Sequence, residues 1–301
     1  MNVLITGATG LIGSHLSEEF RRNGHAVHYL TTRKSAIHSE ENYKGFHWDP
    51  VKGELDGAAL KDVSVIIHLA GATVSKRWTK AYKKQIIDSR LKSAALLFTF
   101  LKSIPHSVTH FISASGVGIY PSNDAEHSEE TKETDTSFLA EVVKAWEESA
   151  LQFKDLGIKV SIVRTGIVLA NEGGALKEMS APIRKGLGAP LGKGTQWQSW
   201  IHIEDMVRMY LDITGQGWQG VYNAVAPNPV TNKELTHQIA KNLGKRIWLP
   251  NVPGFVLRIL LGEMADIVLD GQRASAKKIE SKGFNFTYPE LDGALQDLLK
   301  D

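Results

Sequence analysis

The residues best suited to chemistry stand at the start of the chain. Residues 2–13 read NVLITGATGLIG, with glycines at 7, 10 and 13. An apolar strand runs into this turn and an amphipathic helix leaves it. Gly7 would allow the tight turn, Gly10 would let backbone approach a pyrophosphate, and Gly13 would let the helix pack close to the strand. The helix N-terminus then offers free N–H groups and the positive end of its dipole to an anion. The pattern points to a bound dinucleotide rather than to a purely structural turn. The second strand ends in YLTTRK, Tyr29–Lys34, and the first acid after it is Glu40. NAD sites place Asp or Glu about 20 residues past the glycines, on the ribose 2′-OH. Arg33 and Lys34 would instead meet a 2′-phosphate, which a carboxylate would repel. NADP(H) is expected over NAD(H), the bland alternative being a solvated basic turn.

Other constellations are weaker. The chain has 11 histidines, but no HxxxH on a helix and no HExxH; His106 and His110 flank the start of a strand. His25 and His28 lie three apart, on opposite faces of a strand, so no metal site is expected. Residues 192–200 read GKGTQWQSW. Trp197 and Trp200 either stack on a sugar or other ring or close the core. His202, just after them, reads as structural. Arg164 ends a strand and could reach a cleft, since ligands bind at strand carboxyl ends in such sheets. Lys76–Lys92 carries seven basic residues against Asp88 alone. It is either a solvated helix face or an attractor for an anion, with Arg77 and Arg90 nearest the site. Asp124–Asp135 holds six acids and one Lys, and would form an exposed loop able to cover a cleft.

The elements that must position these groups alternate. Strand-like runs at Asn2–Thr6, Ala26–Thr31, Val63–Ala70, Val108–Ser113 and Lys159–Arg164 are continuously apolar. Helical patterns near Ile12–Asn23, Thr79–Ser103 and Ser137–Leu156 separate them. This is the signature of an α/β fold, a Rossmann-type doubly wound parallel sheet covered on both faces. Gly24 and Gly157 sit where helix C-caps are expected. Beyond Leu169 the pattern changes and Gly and Pro become dense. Residues 1–170 therefore read as the NADP-binding body, with 200–226 returning to it, and 171–301 as a smaller C-terminal substrate lobe.

Composition closes several routes. The 301 residues carry 35 Lys plus Arg and 33 Asp plus Glu, a net of +2, too little for nucleic-acid binding through bulk charge. There is no Cys, which excludes disulfides, thiolate catalysis and Cys-ligated metal centres. The most apolar late stretch, Phe255–Leu269, is broken by Arg258, Glu263 and Asp266. It reads as an amphipathic helix packed on the body, not a membrane span. No targeting signal is read at the N-terminus, and a cytoplasmic location is expected.

The motifs TGATGLIG, HLAGA (68–72), SASGVGIY (113–120) and SWIHIEDMV (199–207) resemble an extended short-chain dehydrogenase/reductase. The stretch Val252–Leu295 resembles the C-terminal DUF1731 domain of the atypical, sugar-epimerase-like NAD(P)-dependent epimerase family, placed here at about residues 248–295. WTKAYKKQIIDSRL (78–91) and LAEVVKAWE (139–147) fit the same subfamily. The resemblance spans essentially the whole chain. It implies a Rossmann domain that binds NADP(H). The label of nucleoside-diphosphate-sugar epimerase attached to this family rests on fold similarity. Carried over by motif, Gly7, Gly10, Leu11, Ile12 and Gly13 would line the pyrophosphate, and Arg33 would face the 2′-phosphate. Leu69, Ala70 and Gly71 would pass the adenosine ribose, and Arg90 would sit near the cofactor's outer face. Thr9 and Ser113 join the cofactor contacts.

The resemblance also exposes a gap. The superfamily uses a Ser or Thr, a Tyr, and a Lys four residues after the Tyr, which lowers the phenol's pKa for proton transfer. None of the seven tyrosines here has a Lys at that spacing. Lys144 is present, but Ala140 stands where its Tyr would be. Ser115 takes the serine position and would orient a substrate oxygen. Tyr120 is either a substitute acid/base or a wall of the pocket. The expected function is an NADP(H)-dependent epimerase or oxidoreductase acting on a small polar substrate, nucleotide-linked or not. The competing class is a non-catalytic NADP(H)-binding sensor. Nucleic-acid and membrane partners are not expected, and the chain would be a monomer or homodimer.

Overall fold

The computed structural model describes residues 1–300. Seven strands form the main parallel ladder: β1 (Asn2–Thr6), β2 (Ala26–Thr31), β3 (Tyr43–Asp49), β4 (Val65–His68), β5 (His110–Gly116), β6 (Lys159–Thr165) and β7 (Gly220–Ala224). Their spatial order is β7-β6-β5-β4-β1-β2-β3, and every neighbouring pair is parallel. Ser39–Glu40 adds a short antiparallel edge to β3, and Glu54–Leu55 pairs with its far end. The order reverses beside β1, which leaves a crevice at the carboxyl ends of β1 and β4.

Helices cover both faces. They are α1 (Leu11–Arg22), α2 (Lys80–Ser103), α3 (Phe138–Leu151), α4 (Gly174–Arg184), α5 (Ile203–Gln216) and α6 (Asn232–Asn242). The smaller ones that follow are α7 (Gly254–Leu261), α8 (Asp266–Leu269), α9 (Lys277–Ser281) and α10 (Leu291–Leu298). Thr79 and Ser137 cap α2 and α3 with their hydroxyls, so both helices start where a capping residue precedes the apolar pattern. Gly24 and Gly157 adopt the left-handed conformation just past a helix end, at φ 75° and 74°. Side chains of β1 alternate between two cores: Val3 and Ile5 face one, and Leu4 faces the other. In the second core Phe111 stacks on Phe153 at 3.7 Å.

Four local expectations change. β3 was not among the apolar runs, because its sequence, YKGFHWD, is mostly polar and only Trp48 is buried. Of residues 200–226, only β7 joins the main sheet. Trp200–His202 pairs instead with Ile167–Leu169 in a separate two-stranded sheet. The acidic segment Asp124–Asp135 is not a free loop, although Asp124 lines a cavity. Its Glu126–His127 pairs with Arg273–Ala274, and Glu126 and Glu130 bridge to Lys277 and Lys278. Phe255–Leu269 is not one helix. Gly262, at φ 64°, breaks it into α7, a 3-10 turn and α8. Among the described residues no helix is long and apolar enough to cross a membrane.

The C-terminal elements share the body's core rather than making one of their own. Ile279, Leu291 and Leu295 pack in the same cluster as Val3 and Ile5. Asp205 pins this junction. Its carboxylate is fully buried and accepts from the backbone N–H of Thr287 (2.8 Å) and Tyr288 (2.9 Å). Arg208 adds a third donor at 2.9 Å. Asp205→Ala strands two amides and should cost about 2–4 kcal/mol, read as a lower denaturant midpoint in chemical unfolding.

Candidate functional site

The glycine turn forms a cradle that tolerates no side chains. Gly7 sits at φ 71°, and a Cβ there would meet the Leu69 carbonyl at 3.1 Å. A Cβ on Gly13 would lie 2.2 Å from the Gly7 oxygen. Gly10 precedes α1 and caps it with no side chain, so the first N–H groups of the helix stay open to a ligand. Thr6 Oγ1 accepts from the amides of Leu69 and Ala70, both at 3.1 Å, which ties the loop after β4 to the end of β1.

Beside this cradle lies a cavity of about 730 Å³. Gly7, Thr9, Arg33, Ala70 and Gly71 line it, so residues from three separate segments converge on one space. Lys34 does not line it and opens a 3-10 turn instead. Trp48–Val51, at the carboxyl end of β3, form a further wall. Sequence reading missed that wall. Its signal was Trp-Asp-Pro, ending a strand too polar to recognise. Leu11 and Ile12 pack partly against the core, and Leu11 touches Gly174. Ser113 is buried, and its hydroxyl donates to the Ala114 carbonyl.

Arg90, expected near the cofactor's outer face, does not itself line the cavity. It is buried beneath the Gly71–Ala72 backbone, and its Nη1 donates to the carbonyls of Ala72 (3.2 Å) and Ile86 (2.9 Å). Its guanidinium lies 4.6 Å from the Trp146 ring centroid. Burial pulls its pKa down to about 10, against a slight upward pull from Tyr82. Arg90 therefore braces the loop that walls the cavity. Three other basic residues of the segment are paired. Lys84 and Lys92 share Asp88 at the cavity edge, and Lys83 bridges to Glu263. The hydrogen bond from Lys84, with Lys92 behind it, holds the Asp88 carboxyl below its ordinary range. Arg77 lies outside the cavity lining and stands beside Gly262.

The residues expected to do catalysis meet elsewhere, in a buried network. Ser115 donates to Glu147 Oε1 at 2.6 Å. Arg164 grips both oxygens of Glu147 at 2.8 Å and donates to Tyr120 Oη at 2.9 Å. Tyr120 in turn donates to Asn223 Oδ1 at 2.8 Å, and Asn223 donates to the Ser275 carbonyl. All five side chains are buried, Glu147 and Arg164 at 8% exposure each and Tyr120 at 1%. Arg164 thus turns into the core rather than out to a cleft. The physical reason is Glu147, an acid on the inner face of α3 that needs a counter-charge. Burial opposes the charge on Arg164, but the hydrogen bonds and charge of Glu147, with Tyr120, outweigh it and hold its pKa above the ordinary value. Burial pushes the Tyr120 phenol up, against the pull of Arg164, the reverse of what a general base needs. Tyr120 is a packing residue here, stacked on His127 at 5.4 Å.

The dyad position holds a fully buried Ala140, and Lys144 Nζ donates to the Asp135 carbonyl at 3.0 Å. The two tryptophans separate. Trp200 is fully buried and donates to the Asn228 carbonyl, so it closes the core. Trp197 is part-exposed, donates to Asp124 at 3.1 Å, and lines a second cavity of about 780 Å³. His202 caps α5, its Nδ1 accepting from the Glu204 amide.

The parallel sheet with its glycine cradle at the strand reversal defines a Rossmann-type nucleotide-binding protein. Residues 3–224 match the model of the NAD dependent epimerase/dehydratase family, and the chain belongs to that family. Residues 252–298 match a domain of unknown function, DUF1731. An epimerase family protein of Staphylococcus aureus (strain NCTC 8325 / PS 47) is 36% identical over 302 residues, covering 99% of each chain. The crystal structure of human epimerase family protein SDR39U1 with NADPH resembles this chain at a TM-score of 0.87 and 29% identity, over 99% of both. A nucleoside-diphosphate sugar epimerase from Corynebacterium glutamicum does so at 0.79 and 29%, over 99% of this chain and 58% of that one.

The buried network makes a graded prediction. Glu147→Ala leaves Arg164 without its counter-charge and should cost about 3–5 kcal/mol. Tyr120→Phe removes one hydroxyl from the chain of donors and should cost about 1–2 kcal/mol. Equal effects of the two in thermal and urea unfolding would contradict this ranking.

Proposed function

We propose that the protein is an NADP(H)-dependent epimerase or oxidoreductase acting on a small, polar, hydroxylated substrate. The observation that carries this reading is the convergence of Gly7, Thr9, Arg33, Ala70 and Gly71 on one cavity. Open N–H groups at the start of α1 would hold the pyrophosphate. Arg33 would hold the 2′-phosphate by charge-assisted hydrogen bonds. The NADPH in the human relative's structure supports the same choice. Once bound, the cofactor supplies hydride exchange at its nicotinamide. The chain must supply binding, orientation and a path for the proton.

That path is not the usual one. Ala140 has no proton to give, Ser115 is engaged by Glu147, and Lys144 is held by a backbone carbonyl. The same facts favour a second reading, a non-catalytic NADP(H)-binding module that reports redox state to a partner.

Titration by intrinsic fluorescence tests the cofactor. The wild type should bind NADPH more tightly than NADH, and Arg33→Ala should lose about 10–100-fold in NADPH affinity with little change for NADH. Equal affinity of the wild type for both would refute the 2′-phosphate role. NADPH oxidation against a panel of carbonyl compounds and nucleotide sugars then separates the enzyme from the sensor.

A further inference from the structure

A proton carrier has to reach the substrate side of α3, where the tyrosine is missing. A small cavity of about 40 Å³ lies over the first turn of α3. Gly118, Ser137 and Leu139 line one side of it, and Asp266, Ile267 and Asp270 the other. Leu139 directly precedes Ala140. Asp270 also lines the 780 Å³ cavity that holds Trp197, Phe255 and Arg258. It therefore lines both the larger, aromatic-walled pocket and the small cavity beside Leu139, the residue before Ala140.

Two carboxylates lie one turn apart here, and their surroundings differ. Asp266 is paired with Arg258 at 2.7 Å. Among the described residues, no side chain or amide hydrogen-bonds the Asp270 carboxylate, although its own N–H closes on the Asp266 carbonyl at 3.0 Å. We propose that Asp270 is the general acid/base that takes the place of the absent tyrosine. It exchanges a proton with a hydroxyl or carbonyl oxygen of a substrate seated in the larger cavity. This rests on the reading of the protein as an oxidoreductase or epimerase.

The charged groups around Asp270 come from every neighbouring element. Asp266 and Arg258 lie on α8 and α7, Asp135 lies before α3, and Asp124 and Lys193 stand across the larger cavity. Burial raises the Asp270 carboxyl most, Asp266 and Asp135 add to it, and Arg258 opposes. A carboxylate in an apolar, like-charged setting beside one paired with an arginine is the pattern by which a site gives two acids different roles. In the oxidising direction the substrate O–H bond breaks and its proton passes to the Asp270 carboxylate. The O–H electron pair becomes the second bond of the carbonyl, and the carbon's hydride goes to an oxidised nicotinamide co-reactant. In reduction the carboxylic acid returns the proton to oxygen.

The test has two arms. Carbon-13 labelling of aspartate carboxyls in the cofactor-free wild type, with Asp270→Asn to identify the signal, gives the titration directly. Asp270 should titrate above the ordinary value of about 3.9, and Asp266→Asn should bring it down by removing a like charge. Titration at or below the ordinary value overturns the proposal. The second arm compares wild type and Asp270→Asn for NADPH affinity and for NADPH oxidation with the carbonyl and nucleotide-sugar panel. Asp270→Asn should lose about 100-fold or more in turnover with unchanged NADPH affinity. The acid limb of the wild-type pH profile should move down in Asp266→Asn. Turnover retained in Asp270→Asn sinks the proposal and leaves the enzyme reading intact. A wild type that binds NADPH but turns over nothing removes the enzyme reading and the role of Asp270 with it.

Discussion

The Glu147–Arg164 ion pair is the constraint around which the rest of the molecule is arranged. Two charges taken out of water are stable only if each is fully engaged. Glu147 meets Arg164 through both oxygens and takes a third hydrogen bond from Ser115. Arg164 turns its remaining nitrogen, Nη1, to Tyr120. Each partner comes from a different element: α3, β6, the end of β5 and the turn after it. Satisfying one buried acid therefore fixes the mutual placement of α3 and the sheet. Asn223 on β7 and the Ser275 carbonyl extend the chain of hydrogen bonds to the C-terminal segment.

The same network explains why the catalytic side of the cleft looks unfamiliar. The Ser115 hydroxyl is captured by Glu147. Tyr120 is drawn inward by Arg164 and Asn223, so its phenol is shielded rather than activated. The cofactor side is untouched by this change. Its requirements are glycines, open amides and one well-placed cation, and none depends on the dyad. The fold thus keeps its glycine cradle intact although the usual tyrosine position beside it holds Ala140.

The DUF1731 segment packs against the helices on this side of the molecule. Met264 and Ile267 pack against the cluster formed by Trp78, Ile86 and Val142, on α2, α3 and the loop before them. Lys83 reaches across to Glu263. The segment is therefore a wall of the cleft as well as an addition to the core. The acidic stretch Asp124–Asp135 is its fastening, paired with it as a strand and by lysine bridges, and Glu129 accepts from the Asn223 amide at 2.7 Å.

The sequence by itself determined what local rules govern. The alternating apolar runs, the capping residues at Thr79 and Ser137, the glycine turn and the absent tyrosine were legible because each depends on neighbours a few residues away. β3 was not legible, because a half-buried strand near the sheet's edge lacks the apolar run that marks a buried one. The direction of Arg164, the burial of Arg90 beneath Gly71 and the parting of Trp197 from Trp200 were decided only by tertiary structure. Each turns on a partner far along the chain, and a charged or aromatic side chain goes where its counter-charge, hydrogen-bond acceptor or packing surface lies. Spacing shows that such a residue exists, and only the folded chain shows which partner it meets.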